Sequence, residues 1–369
     1  MSQQTHRKLI SGRERGLGAG LLRLLLGIAA MGYSFLARLW NFLYSKGWLK
    51  VHHVDAAVIC VGNITTGGTG KTPLVVWVYK HIISNSRSQI SDFPCAILTR
   101  GYKAADDSGL KTQDYGDEVA ILAESCPGAK VIVNPDRVAG AAEAISKFGV
   151  KVLLMDDGFQ HRRLARDLDI VAVDATQPFG YEKMLPAGLL REPVTSLKRA
   201  DAVVMTRCDQ ITEAELSELE RKLRAIHPGM VIARSIHAPL CARSADQGEV
   251  SIEGLGGKRV FAFCGIGNPD AFLGTIRGLG CDLVGSKFYD DHYRYTDECL
   301  AGIYNQAEHL GADLILTTQK DWTKISRLAP AKKNISLAYL AIEIEFLAGE
   351  GQLTALIEGA VAGRISESS

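Results

Sequence analysis

The sequence predicts an α/β protein, and three observations carry that prediction. Apolar strand-like runs alternate with helical patterns at the spacing of a largely parallel sheet. A glycine-rich turn, Gly67-Gly68-Thr69-Gly70, separates the run Ala56 to Val61 from Lys71-Thr72 and an apolar helical pattern. A later run, Lys151 to Met155, ends in Asp156-Asp157. Together these describe a P-loop NTPase three-layer fold with a mainly parallel sheet, plus a smaller α/β carboxyl-terminal lobe.

The glycine turn dictates its own chemistry. Without a Cβ, glycines let backbone N–H groups turn inward and approach phosphate oxygens. The unpaired N–H groups of the following helix add positive partial charge. Thr65, Thr66, Gly67, Gly68, Thr69 and Gly70 would cradle the phosphates, Lys71 would reach the β and γ groups, and the Thr72 hydroxyl would ligate Mg²⁺. The common pattern wants glycine five residues before Gly70, and this chain has Thr65 there. Pro73 falls in the first helical turn, where its missing N–H has no intrahelical partner to lose.

Composition sets the outer limits. The chain has 369 residues, 47% apolar and 22% charged, which describes an ordinary globular protein of one large or two ordinary domains. A net charge of +1 gives no global case for nucleic acid. Charge is unevenly placed, however. Residues 1–54 carry eight lysines and arginines against the single acid Glu14, so a basic arm precedes a slightly acidic body. That asymmetry points to an anionic surface as partner. The eight cysteines include no C-x-x-C pair and no zinc-ligand spacing, which reads as a reducing, cytosolic environment.

Leu17 to Tyr44 is the most apolar long stretch, yet only 14 uncharged residues run between Arg23 and Arg38, short of a spanning helix. On a helix, Leu22, Leu25, Ala29, Leu36, Trp40 and Leu43 share one face. Arg23, Gly27, Ser34, Arg38, Asn41 and Ser45 share the other. An interfacial anchor and a helix packing its apolar face on the protein's own core both fit this pattern. Four parts are expected: the basic arm and amphipathic helix over 1–52, the P-loop core over 53–243, the smaller lobe over 244–363 and a polar tail over 364–369.

Along the core, a strand at Cys95 to Thr99 leads to Arg100-Gly101-Tyr102, and Gly116-Asp117-Glu118 opens a helical run. By spacing, Asp117 is a helix cap. A strand over 130–133 precedes Asp136-Arg137 and an alanine-rich helix. The sequence KVLLMDDGFQH, Lys151 to His161, has the Walker B form: a buried strand whose terminal carboxylate emerges beside the phosphate loop. Asp156 is the metal-side candidate with Asp157 beside it, and Gln160 and His161 are placed to face substrate or phosphate. The long loop Phe179 to Pro193 carries Arg191, a candidate phosphate or acceptor contact. Thr206-Arg207-Cys208-Asp209 loosely mimics a base-reading loop. In the second lobe, His292 follows Asp290-Asp291; a surface histidine and a proton-handling one are both consistent with that spacing.

Taken in order, VGNITTGGTGKTP (61–73), LTRGY (98–102), GDE (116–118), DDGFQHRRL (156–164), LPAGLLREP (185–193), DHY (291–293) and TQKD (318–321) span most of the chain. This set resembles the tetraacyldisaccharide 4′-kinases of bacteria that make lipopolysaccharide. The resemblance implies transfer of the γ-phosphate of ATP, with Mg²⁺, to the 4′-hydroxyl of a tetraacylated glucosamine disaccharide 1-phosphate, forming lipid IVA. It also implies a helix touching the cytoplasmic face of the inner membrane. Carried over by motif, Lys71 and Thr72 serve phosphate and Mg²⁺, and Asp156 and Asp157 the metal side. Asp117 becomes the catalytic base, His292 its partner, and Arg137 and Arg191 basic contacts to acceptor or phosphate. Gln319 stands where the family often has glutamate, and GDEV replaces the more frequent GDEP. The rival is a P-loop switch or metallochaperone-type GTPase without lipid acceptor, which would use the same Lys71, Thr72 and Asp156.

Overall fold

Four strands that are buried from end to end form the centre of the protein: β1 (Ala57–Gly62), β4 (Val152–Asp156), β5 (Leu168–Asp174) and β6 (Ala202–Thr206). Strands covered on both faces read as unbroken apolar runs and not as alternation, which is why the sequence marks them so clearly. The computed structural model describes residues 3–12, 14–84, 94–101, 117–244, 248–291, 293–326, 328 and 334–367, with the backbone alone at Gln3, Gln4, Arg7, Asp117 and 365–367.

In chain order, α1 (Gln3–Ile10) and α2 (Leu17–Ser45) precede β1. Then follow α3 (Lys71–Ser84), β2 (Cys95–Thr99), α4 (Asp117–Ser125), β3 (Lys130–Val133) and α5 (Arg137–Phe148). After β4, β5 and β6 come α6 (Glu213–Ile226), β7 (Val231–Ser244) and β8 (Gly248–Ser251). The remainder is β9 (Arg259–Cys264), α7 (Pro269–Gly278), β10 (Asp282–Phe288), α8 (Asp297–His309), β11 (Leu314–Thr318), α9 (Gln319–Ile325), β12 (Ser336–Ala348) and α10 (Glu350–Glu367).

The chain divides into two compact units. The first holds Thr5–Ile236 and Phe346–Ser369. Its strands run β7-β6-β5-β1-β4-β2-β3, and β1 pairs in parallel with both β4 and β5. Pairing Val61 with Asp156 puts the end of β1 beside the acid at the end of β4. The second unit holds His237–Glu345, with strand order β10-β9-β11-β12 and β8 antiparallel to the later part of β7. Its core gathers Phe261, Phe263, Tyr295, Ile303 and Leu337. Asp321 there is fully buried and fully used: it accepts from Gly265 N, Tyr295 Oη and Thr318 Oγ1. The TQKD motif thus caps α9.

The expected lobe over 244–363 ends differently. From Phe346 onward the chain belongs to the first unit, where Leu353, Ile357 and Val361 make a buried stripe on α10. Arg364 Nε donates to Asp167 Oδ1 at 2.8 Å, and α10 packs on β1. Four-residue spacing of three apolar side chains is enough to seat a helix on a sheet.

Helix α2 reverses the core-packing expectation. Its buried or half-buried side is Arg23, Gly27, Ala30, Ser34, Ala37, Asn41 and Tyr44, largely the small and polar face. Leu25, Ile28, Met31, Phe35, Leu36 and Trp40 point outward, and Phe35 is 66% exposed. Polar side chains dock here because they find partners: Tyr33 Oη donates to Arg191 O at 2.9 Å, and Asn41 Nδ2 to Glu192 Oε2 at 2.7 Å. By length and composition α2 is also long and apolar enough to cross a membrane.

Candidate active site

The site is built where β1 and β4 end side by side. After β1 the chain turns through Asn63 to Gly70 and enters α3 at Lys71. Gly67 and Gly70 take φ of 112° and 84°, a backbone region that glycine enters without a Cβ clash. The turn is braced from several sides. Asn63 Nδ2 donates to Thr69 Oγ1 at 3.0 Å, closing the loop across its mouth. Thr206 Oγ1 donates to Thr69 O, and Arg207 Nη2 to Gly68 O. Thr65 pairs with Leu190, and Thr66 N donates to Leu189 O, so the 179–193 loop lies along the turn.

β4 delivers two carboxylates with opposite environments. Asp156 is 2% exposed, and burial, with Glu118 and Asp157 adding negative charge, pushes its carboxyl up to about 7. Its Oδ2 accepts from Thr99 Oγ1 at 3.4 Å. Asp157 turns the other way, with a left-handed φ of 51° held by its N–H bond to Val61 O. Burial opposes its ionisation, but Lys71 and Arg191 outweigh that and hold it well below the usual carboxylate range. Arg191 donates to both Asp157 oxygens at 2.8 and 3.1 Å and to Asn63 Oδ1 at 3.0 Å. Lys71 Nζ lies 3.5 Å from Asp157 Oδ1.

The other expected residues fall around this centre. Arg137 is buried at the start of α5, donating to Asn134 O and, at 3.4 Å, to Asp156 O. Gln160 Nε2 donates to Asn63 O at 2.9 Å and to Glu192 Oε1 at 3.0 Å. Arg137 Nε, Gln160 Oε1 and His161 Nδ1 are buried without a hydrogen-bond partner among the described residues. Burial and the neighbouring Arg137 charge lower the His161 pKa, which favours the neutral ring. Lys71, Asp156, Asp157, Arg137, Gln160 and Arg191 are therefore joined by short contacts or by adjacency on β4. Asp117 begins α4, its side chain outside the described residues, and His292 lies outside them altogether.

Sequence reasoning missed Asn63, Glu192 and Arg199. Glu192 is 4% exposed; burial opposes its charge, and Arg199 overcomes this with hydrogen bonds at 2.9 and 3.1 Å that lower its pKa. Arg207, in the 206–209 loop, is buried against Asp174 at 2.6 Å and the loop carbonyl of Gly68. Nearby, α2 and the 183–187 segment border a cleft of about 530 Å³ whose lining includes Leu26, Met31, Phe35, Arg23, Arg38 and Lys183.

A family described as Tetraacyldisaccharide-1-P 4′-kinase matches residues 22–362. The chain belongs to that kinase family. Its relatives include the tetraacyldisaccharide 4′-kinases of Geobacter sulfurreducens, 36% identical over 87% of this chain and 89% of the relative, and of Halothermothrix orenii, 33% identical over 91% and 92%. Among solved structures, a crystal structure described as the "apo" form of LpxK from Aquifex aeolicus in complex with ATP matches with a TM-score of 0.67 at 28% identity. It covers 92% of this chain and 99% of that one. As a member of the tetraacyldisaccharide 4′-kinases, this chain is a P-loop enzyme.

Proposed function

We propose that the protein transfers the γ-phosphoryl group of ATP to the 4′-hydroxyl of a tetraacylated glucosamine disaccharide 1-phosphate. One observation carries this reading at the site: the Lys71-Thr72 end of the glycine turn and the Asp156-Asp157 tip of β4 are neighbours, with Lys71 3.5 Å from Asp157. Family membership supplies the acceptor.

The residues divide the work. Backbone N–H groups at the start of α3 and Lys71 receive the phosphates. On ATP binding, Lys71 exchanges part of its pairing with Asp157 for phosphate oxygen, and Arg191 keeps the carboxylate ionised and oriented. Thr72 and Asp156 fit a hard divalent cation, because the donors are oxygens and Asp156 is a buried carboxylate among other acids. Magnesium held there would neutralise charge on the phosphates. Asp117 takes the acceptor hydroxyl proton and His292 supports it, roles assigned by their motifs.

The acceptor is an anionic, acylated sugar, and the cleft beside α2 combines cations with apolar walls of that character. The outward apolar face of α2 lies in the interfacial layer of the cytoplasmic leaflet of the inner membrane, beside the basic arm. The test is ³²P transfer from γ-labelled ATP to the disaccharide 1-phosphate lipid in detergent micelles. Labelled lipid is expected; hydrolysis of ATP or GTP with no lipid product would overturn the reading.

A further inference from the structure

A buried carboxylate links the outward-facing helix to the phosphate loop. Glu192 divides its two oxygens: Oε2 accepts from Asn41 Nδ2 on α2 at 2.7 Å, and Oε1 accepts from Gln160 Nε2 at 3.0 Å. The same Gln160 nitrogen donates to Asn63 O at 2.9 Å. Asn63 in turn clamps the loop through Thr69 Oγ1 and accepts from Arg191. A primary amide has two hydrogens, and here both are committed, one to each end of the relay.

We propose that Glu192 is a positioning residue that couples the seating of α2 to the geometry of the ATP-binding turn. The physical reason is restraint. With Glu192 fixed by Asn41 and Arg199, Gln160 has one orientation in which both hydrogens are used, and that orientation holds the Asn63 carbonyl. Release Asn41, and Glu192 keeps only its Arg199 and Gln160 bonds, so the carboxylate gains freedom to rotate. Gln160 and Asn63 loosen with it, and the loop must be ordered again when ATP binds. Asn41 is also held at its carbonyl by Arg162 Nη1 at 2.8 Å, so losing its amide leaves the helix attached.

The inference rests on ATP binding at the turn, and a double-mutant cycle in the full chain separates the two claims. The readout is the Kd of a fluorescent ATP analogue, with melting temperature measured alongside. Asn41→Ala and Gln160→Ala should each weaken binding about fivefold. The double variant should bind no worse than Gln160→Ala alone, because both changes cut one relay. Ser45→Ala, which removes an exposed hydrogen bond on the same helix, should bind like the parent. If Asn41→Ala fails to fold, Asn41→Gln displaces the same amide by one methylene and is read the same way. Unchanged Kd in the Asn41 variant, or effects that multiply in the double variant, would overturn the coupling. Failure of the parent to bind the analogue would instead defeat the ATP reading itself.

Discussion

Lys71 and Arg191 share one carboxylate. Asp157 lies 3.5 Å from the lysine and within 2.8 Å of the guanidinium, and 34 residues separate it from Arg191 in the chain. Its left-handed backbone, φ 51°, aims the side chain at both cations. The shared counter-charge keeps the two positive side chains, one of which must meet phosphate, from repelling each other.

Asp157→Asn should therefore separate binding from turnover. Asparagine tolerates the left-handed conformation, so the backbone stays in place. Lys71 and Arg191 lose their shared counter-charge, and the phosphates of ATP offer a replacement. ATP should bind at least as tightly as in the parent. Turnover should fall by about 10²-fold, because the oriented lysine–carboxylate–arginine set is gone. Isothermal titration beside a steady-state assay measures both; weakened ATP affinity with normal kcat would contradict the account.

Arg191→Lys tests geometry at constant charge. The guanidinium reaches both Asp157 oxygens and Asn63 Oδ1, a fork that a single ammonium does not reproduce. A drop of about tenfold or more in kcat/KM is expected, with retained charge giving no rescue. Near-parental kinetics would show that only the charge matters.

Asp117 and His292 carry the proton-handling roles by motif. Replacing either with alanine should reduce phosphoryl transfer by about 10² to 10⁴-fold while leaving ATP affinity in place. For Asp117, loss of an acid from the first turn of α4 is the competing effect, visible as a lower melting temperature. Normal turnover in either variant would remove that residue from the chemistry.

The parts of this arrangement readable from the sequence were those carried by local pattern. Helix α6 starts at Glu213 on a purely local signal, the capping box that Thr212 and Glu215 form within four residues of chain. The buried strands were visible as continuous apolar runs. What escaped depends on residues far apart: Asn63 meets Arg191 across 128 positions and Gln160 meets Asn63 across 97. Glu192 next to an arginine looks like an ordinary solvated pair in sequence; only the fold buries it. The direction of α2 escaped for a related reason. Its periodicity shows two faces, but which one docks is decided by Glu192, Ser196 and the Arg191 carbonyl waiting at the surface.

Asp156 makes the metal-free protein sensitive to pH in an unusual direction. Its carboxyl is pushed up to about 7, above the roughly 4 of an unfolded chain. Between those values the native state holds a proton that the unfolded state has lost. Raising the pH through that window therefore costs stability from this group, and the cost is complete above about 7. Asp156→Asn should abolish turnover yet raise the melting temperature at pH 8 by a few degrees in chelator, with little difference near pH 4. A variant less stable than the parent at pH 8 would show that the carboxylate is satisfied in a way its surroundings do not indicate.

The exposed side of α2 gives a prediction in which fold and function part company. Leu25 and Leu36 are 54% and 63% exposed, so neither contributes much to the core. Replacing both with serine should leave the melting temperature in detergent-free buffer nearly unchanged, since exposed substitutions usually shift stability by about 0.5 kcal/mol or less. Each side chain moved out of the interfacial layer, however, forfeits about 1.5 to 3 kcal/mol of apolar burial if fully inserted. The double variant should therefore move from membrane to soluble fractions and lose activity on acceptor in vesicles. Activity on the same acceptor dispersed in detergent should be largely retained, because Tyr33 and Asn41 still dock the opposite face. Unchanged fractionation with normal vesicle activity would mean that this apolar face meets something other than lipid.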